Sequence, residues 1–257
     1  MKRDLPTYII HYTKYTERKK VMDTLLNKEG FQNIAYITEF DREDISYTDY
    51  YNSFRANHLE YQNRKHYNFH PNYPLTPGEI SFTLKQKTFL QKFVASNYEY
   101  CFLLEDDVIV DKDFISKFDY YFKSLPKDFD VAFFGQGGGK RIDKSLLEDG
   151  VYWYPKSYPA DRCGDSFVLN KQSATKLLGC MEQFKICFPI DQEYAFWFRE
   201  LDFKVYWLEP PITVQGSQIG LYTSVQQEYN TNSHFQDMGM SVRSDLHDII
   251  KEVTDGN

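Results

Sequence analysis

Three consecutive carboxylates, Glu105-Asp106-Asp107, close an apolar run from Tyr100 to Leu104 (YCFLL). Adjacent negative charges repel, so a buried or half-buried cluster of this kind needs compensation. A divalent cation is the simplest source. Hard oxygen ligands suit magnesium or manganese, and both ions bridge diphosphate oxygens well. The pattern is equally compatible with a solvated turn, or with caps for the next helix. A glycine-rich stretch, Gly135-Gln136-Gly137-Gly138-Gly139-Lys140, follows a second apolar run. Its spacing is not that of a P-loop. It would let a ligand approach the backbone, or serve as a turn after a strand.

The elements that must position these groups follow from periodicity. Thr7 to His11, Ile34 to Ile37, Tyr100 to Leu104, Val131 to Phe134, Phe167 to Leu169 and Phe203 to Leu208 read as strands. Helical spacing is expected over Thr16 to Asn27, stopped near Gly30, and over Lys171 to Cys180 and Asp191 to Glu200. Thr76-Pro77-Gly78-Glu79 is a capping box with proline at the first helical position, opening a helix to about Ser96. Asp111 is expected to cap a helix from Lys112 to Ser124. Strand, helix, strand at the start suggests a parallel sheet. An acidic triplet at a strand's carboxyl end then lies where open α/β sheets place ligands. Residues 41–73 read as a polar insertion and 226–257 as a polar tail with one amphipathic stretch, Leu246 to Val253, all within a single domain spanning residues 1–257.

The net charge of −7 argues against a general nucleic-acid binder, which needs a basic face. Cys101, Cys163, Cys180 and Cys187 form no C-x-x-C pair, so free thiols in a reducing compartment are expected rather than a zinc site. No signal-peptide or membrane-spanning run is visible, and a cytoplasmic location is expected. Peripheral association with a membrane surface is left open.

The chain resembles glycosyltransferase family 25, the lipooligosaccharide and collagen-type galactosyltransferases. Leu103-Leu104-Glu105-Asp106-Asp107-Val108 carries the closest likeness. Tyr8-Ile9-Ile10-His11 with Arg18, Leu75 to Ile80, Leu125 to Asp130, Ser166 to Leu178 and Pro189-Ile190-Asp191 follow in the family's order. The resemblance implies a GT-A-like fold, a Rossmann-type mixed sheet flanked by helices. It implies inverting transfer of a hexose, galactose or glucose, from a UDP-sugar to a glycan or glycosylated acceptor, with manganese or magnesium. Carried over, Asp107 and Glu105 would hold the metal, and Glu105 or Asp106 would sit near the donor. From their own positions, Arg18 is a candidate for a donor phosphate or a solvated helix residue, and His11 a candidate for nucleotide contact or a structural histidine. Asp191 would be the general base, with Glu193 as the alternative base. Gln215 stands where the family has a late histidine and is a further metal-ligand candidate. Ser81-Phe82 and Leu84-Lys85-Gln86 replace the family's Gly-Cys and Leu-Ser-His, and His11 replaces an Asn. A non-catalytic sugar-binding relative and a metal-dependent phosphoesterase are the rival readings. Trp153, Trp197 and Trp207 are candidates to stack on a sugar, although the last two fit a core pattern. His234 is a possible late metal ligand, and residues 41–73 and 135–158 would shape the acceptor site.

Overall fold

The computed structural model describes residues 5–54, 75–137, 140–155, 162–222 and 243–255. Most of the insertion (55–73), Gly138, Gly139, residues 156–158 and His234 lie outside them. The strands are β1 (Thr7–Ile10), β2 (Ile34–Ile37), β3 (Tyr100–Glu105), β4 (Val108–Val110), β5 (Val131–Phe133), β6 (Tyr152–Trp153), β7 (Ser166–Asn170), β8 (Val205–Leu208) and β9 (Thr213–Gln215). The helices are α1 (Thr16–Lys28), α2 (Tyr47–Ser53), α3 (Pro77–Ala95), α4 (Phe114–Ser124), α5 (Lys171–Gln183), α6 (Ile190–Glu200) and α7 (Leu246–Asp255).

Seven strands form one sheet in the order β2-β1-β3-β7-β5-β8-β6, and β4 pairs with β9 in a separate ladder. β7 runs antiparallel to both neighbours and β6 antiparallel to β8, while β1, β2, β3, β5 and β8 share one direction. The opening strands β1 and β2 are parallel, the sheet as a whole is mixed, and with its flanking helices it matches the expected class. Side chains alternate across it with the strand period of two. Tyr8, Ile10, Cys101, Leu103, Phe133 and Trp207 join one core with α3, α5 and α6. Ile9, Phe102, Leu104, Ala132, Phe134 and Leu208 join the other, with α1, α4, α7 and the β4–β9 ladder. The strands are apolar on both faces because both are covered. Trp197 and Trp207 are core residues, and Trp153 packs edge-on to Trp207 at a ring separation of 4.8 Å.

The capping box at Thr76 forms as expected: Thr76 Oγ1 accepts the Glu79 amide at 3.2 Å and Glu79 Oε2 accepts the Thr76 amide at 2.7 Å. Gly30 ends α1 at φ 83°, donating to Asn27 O while Phe31 donates to Leu26 O. Asp111 does not cap α4. That helix starts at Phe114, whose amide donates to Glu29 Oε2 at 3.0 Å, and Asp111 pairs with Lys117 instead. A capping box from Ser46 and Asp49 also starts the short helix α2 inside the polar insertion. None of the four cysteines forms a disulfide; Cys101 and Cys187 are buried, Cys163 and Cys180 half-buried. Among the described residues no helix is long and apolar enough to cross a membrane.

Candidate active site

Because β1, β3 and β5 run the same way, their carboxyl ends meet at one sheet edge. The antiparallel β7 brings its first residue to that edge, with Ser166 opposite Leu104. Ile10 pairs with Glu105 across β1 and β3. The β4–β9 ladder sets Gln215 opposite Val108, one residue beyond the triplet. A cleft of about 280 Å³ opens there. Its lining includes Tyr12, Arg18, Arg42, Lys85, Glu105, Asp106, Asp107, Asp191, Gln215 and Gln218. The acidic triplet and Asp191, 84 residues later, thus face one cavity.

The three carboxylates have different surroundings. Asp106 is compensated within the protein. Its Oδ1 accepts Arg18 Nη1 at 3.2 Å, and its Oδ2 accepts the Tyr12 amide at 3.1 Å and lies 2.8 Å from His11 Nδ1. A cation is therefore not needed for all three charges. Asp107, 4 % exposed, accepts the Ser217 amide on Oδ2 at 3.2 Å, while its Oδ1 is buried with no hydrogen-bond partner. Burial, reinforced by Asp106, pushes its carboxyl upward against the Ser217 hydrogen bond and Arg18. Glu105 accepts Gln215 Nε2 at 3.0 Å; burial, and then the charges of Asp107, Asp165 and Asp106, raise it well above the ordinary carboxylate range.

A fourth carboxylate completes the group. Asp165 is fully buried, its backbone oxygen accepts the Glu105 amide at 2.9 Å, and its Oδ2 has no hydrogen-bond partner. Burial pushes it up to about 7, with Arg162 opposing the rise and Asp107 adding to it. The sequence reading missed it because a lone Asp before a strand carries no periodic signal. The glycine-rich stretch explains how it fits. A Cβ at Gly135 would overlap the Asp165 carboxylate, and one at Gly137 (φ 52°) would overlap Arg162. These glycines make room for the protein's own buried charges, not for a sugar or phosphate.

His11, Glu193 and Gln215 are each engaged by groups of the protein itself. His11 is 2 % exposed and outside the cleft lining, and its Nδ1 lies 2.8 Å from Asp106 Oδ2, which fits a structural histidine. Glu193 is buried, and its Oε1 accepts the Cys187 and Phe188 amides at 2.9 and 3.1 Å. It anchors the loop that carries Pro189 to Asp191 into the cleft. Gln215 turns its amide nitrogen to Glu105, and its oxygen accepts from Gln218 Nε2. In this arrangement it steadies Glu105. Arg18 and Asp191 line the cleft. Asp191 sits in the first turn of α6, with Oδ1 accepting the Gln192 amide at 2.9 Å.

No match is found among curated proteins. Solved structures with a similar course include the galactosyltransferase LgtC in complex with donor and acceptor sugar analogs, at 9% identity, 97% of this chain, 96% of that chain and a TM-score of 0.44. The bifunctional glycosyltransferase WbbM matches at 11% identity and a TM-score of 0.45, over 98% of this chain and 52% of that one. The inositol-1-phosphate CTP transferase from T. maritima matches at 12% identity and 0.39, over 98% of each chain. The model of glycosyltransferase family 25 (LPS biosynthesis protein) matches residues 4–147, which carry β1, α3 and the whole acidic triplet. By that match, over more than half its length, the chain belongs to glycosyltransferase family 25.

Proposed function

We propose that this cleft transfers a hexose, galactose or glucose, from a UDP-sugar to a glycan or glycosylated acceptor with inversion at the anomeric carbon. One observation carries the reading: Asp107, with a buried and unpartnered oxygen, shares a cavity with Arg18 and Asp191.

The residues fit a divalent cation of limited protein coordination. Among the described residues no three His, Cys, Asp or Glu side chains converge to hold an ion by themselves. Magnesium commonly binds through one or two carboxylates, with water and substrate phosphate supplying the rest. Asp107 Oδ1 and the Glu105 carboxylate are the oxygens that suit it. Such an ion supplies charge stabilisation to the departing diphosphate. Arg18 offers a planar, permanently charged group at the same wall.

The Asp191 carboxylate takes the proton of the acceptor hydroxyl. The hydroxyl oxygen forms the new bond to the anomeric carbon. The bond from that carbon to the diphosphate oxygen breaks on the opposite face, and UDP leaves with the electron pair. General-base help of this kind is worth roughly 10²–10⁴-fold.

A thermal-shift screen of nucleotide sugars, with manganese or with a chelator, tests the reading. A ligand that binds only the native state raises the melting temperature by mass action. The expected result is a manganese-dependent rise with a UDP-hexose. No rise with any nucleotide sugar overturns it.

A further inference from the structure

The turn after β9 folds back onto the site and ends on an aromatic residue. The Gly216 amide donates to Asp107 O at 2.7 Å, and Leu221 and Tyr222 donate to Gly216 O at 2.8 and 3.3 Å. The Tyr222 ring lies so close to Gly216 that a Cβ there would stand 2.6 Å from Tyr222 Cδ2. The same ring meets the Arg18 guanidinium, whose Cζ is 4.9 Å from its centroid. Tyr15, preceding α1, meets Arg18 too, at 4.1 Å. Arg18, 8 % exposed, then reaches Asp106 Oδ1. Burial pushes the Tyr222 hydroxyl up to about 12, so a neutral ring faces the cation.

We propose that Tyr222 is a positioning residue for donor binding: with Tyr15 it fixes the Arg18 guanidinium, and so the Arg18–Asp106 pair, while its turn fixes Asp107 from the other side. This rests on the reading of the cleft as a sugar-donor site. The physical basis is the attraction between a guanidinium and an aromatic face, which needs the ring and not the hydroxyl. It also explains why a glycine stands at 216, where any side chain would displace the ring. The Arg18 and Tyr222 elements are far apart in sequence, so the contact links the start of the chain to the turn that carries Gln215, Ser217 and Gln218.

The test compares Tyr222→Phe with Tyr222→Leu, and Tyr120→Leu serves as a control at an exposed tyrosine. Two readouts are taken. The first needs no activity: the backbone amide resonances of Tyr12 and Ser217, which donate to Asp106 and Asp107. The second is the split between donor KM and kcat with a UDP-hexose. In Tyr222→Leu both amide resonances are expected to move and donor KM to rise roughly tenfold, with kcat changing less. Tyr222→Phe should restore both readouts, and Tyr120→Leu should alter neither. If Tyr222→Leu does not fold, Tyr222→Met poses the same question. Unmoved Tyr12 and Ser217 resonances in a folded Leu or Met variant overturn the proposal, as does an equal displacement in Tyr222→Phe. Absence of turnover in the unaltered protein would count against the UDP-hexose reading alone, because the resonances still decide the role of Tyr222.

Discussion

Arg18 Nη1 and Asp106 Oδ1 lie 3.2 Å apart, and no more than a tenth of either side chain's surface reaches solvent. Removing one partner of a buried pair leaves an uncompensated charge, typically a loss of about 3–5 kcal/mol. Arg18→Met is therefore expected to lower stability by roughly that amount. Asp106→Asn in the same chain should recover a part, because no buried carboxylate is then left alone. Urea unfolding of the single and double variants measures the coupling. Strictly additive losses would show that the pair is not a unit.

The contrast between Asp106 and Asp107 also shows what was legible in the sequence. The triplet, the capping box at Thr76 and the periodic strands could be read because each is local. That Asp106 is matched by Arg18 and His11 while Asp107 Oδ1 is left unmatched depends on β1 lying beside β3. Gln215 reaches Glu105 only because β9 pairs with β4. The mixed sheet was expected from the family resemblance alone; the residues of β7 read as an apolar run whichever way it points. Asp165 had no signal at all, since its partner in the fold is a glycine 30 residues earlier. The loop contacts of Glu193 carry no sequence signal, because an acidic residue in a helix's first turn looks alike whether it faces substrate or a loop.

Asp107 carries the cation prediction. Asp107→Asn keeps the side chain's shape and its chance to accept from Ser217, but removes the charge that an ion requires. The manganese-dependent rise in melting temperature with a UDP-hexose should disappear, and turnover should fall at least about a hundredfold. The melting temperature without ligand should stay level or rise, since burial already disfavours the charged form. A manganese-dependent shift that survives in Asp107→Asn would remove Asp107 as a ligand.

Asp191 and Glu193 are two residues apart on α6 and are expected to respond in opposite ways. Asp191→Asn should lower kcat by roughly 10²–10⁴-fold with little change in stability. Glu193→Gln weakens the hydrogen bonds to the Cys187 and Phe188 amides, so its main effect is on stability, about 1–3 kcal/mol. Steady-state kinetics beside thermal melts separates the two. Equal kcat in Asp191→Asn and the unaltered protein would take the base role away from Asp191.

Asp165 gives a pH dependence whose sign follows from its burial. Its folded carboxyl titrates near 7, against about 4 in the unfolded chain. Below about pH 4 both states hold the proton and the group costs nothing. As pH rises from there the unfolded chain ionises first, so its stabilising preference for the acid form is lost progressively up to about 7 and the loss then levels off. Three pH units correspond to about 4 kcal/mol, an upper bound for a group whose surroundings can relax. Asp165→Asn removes the titration. With a chelator present, the variant should be more stable than the parent at pH 8, and the gap should narrow toward pH 4.5. Urea unfolding at both pH values reads this directly, and a gap that is constant or widens in acid would show that Asp165 is ionised in the folded protein.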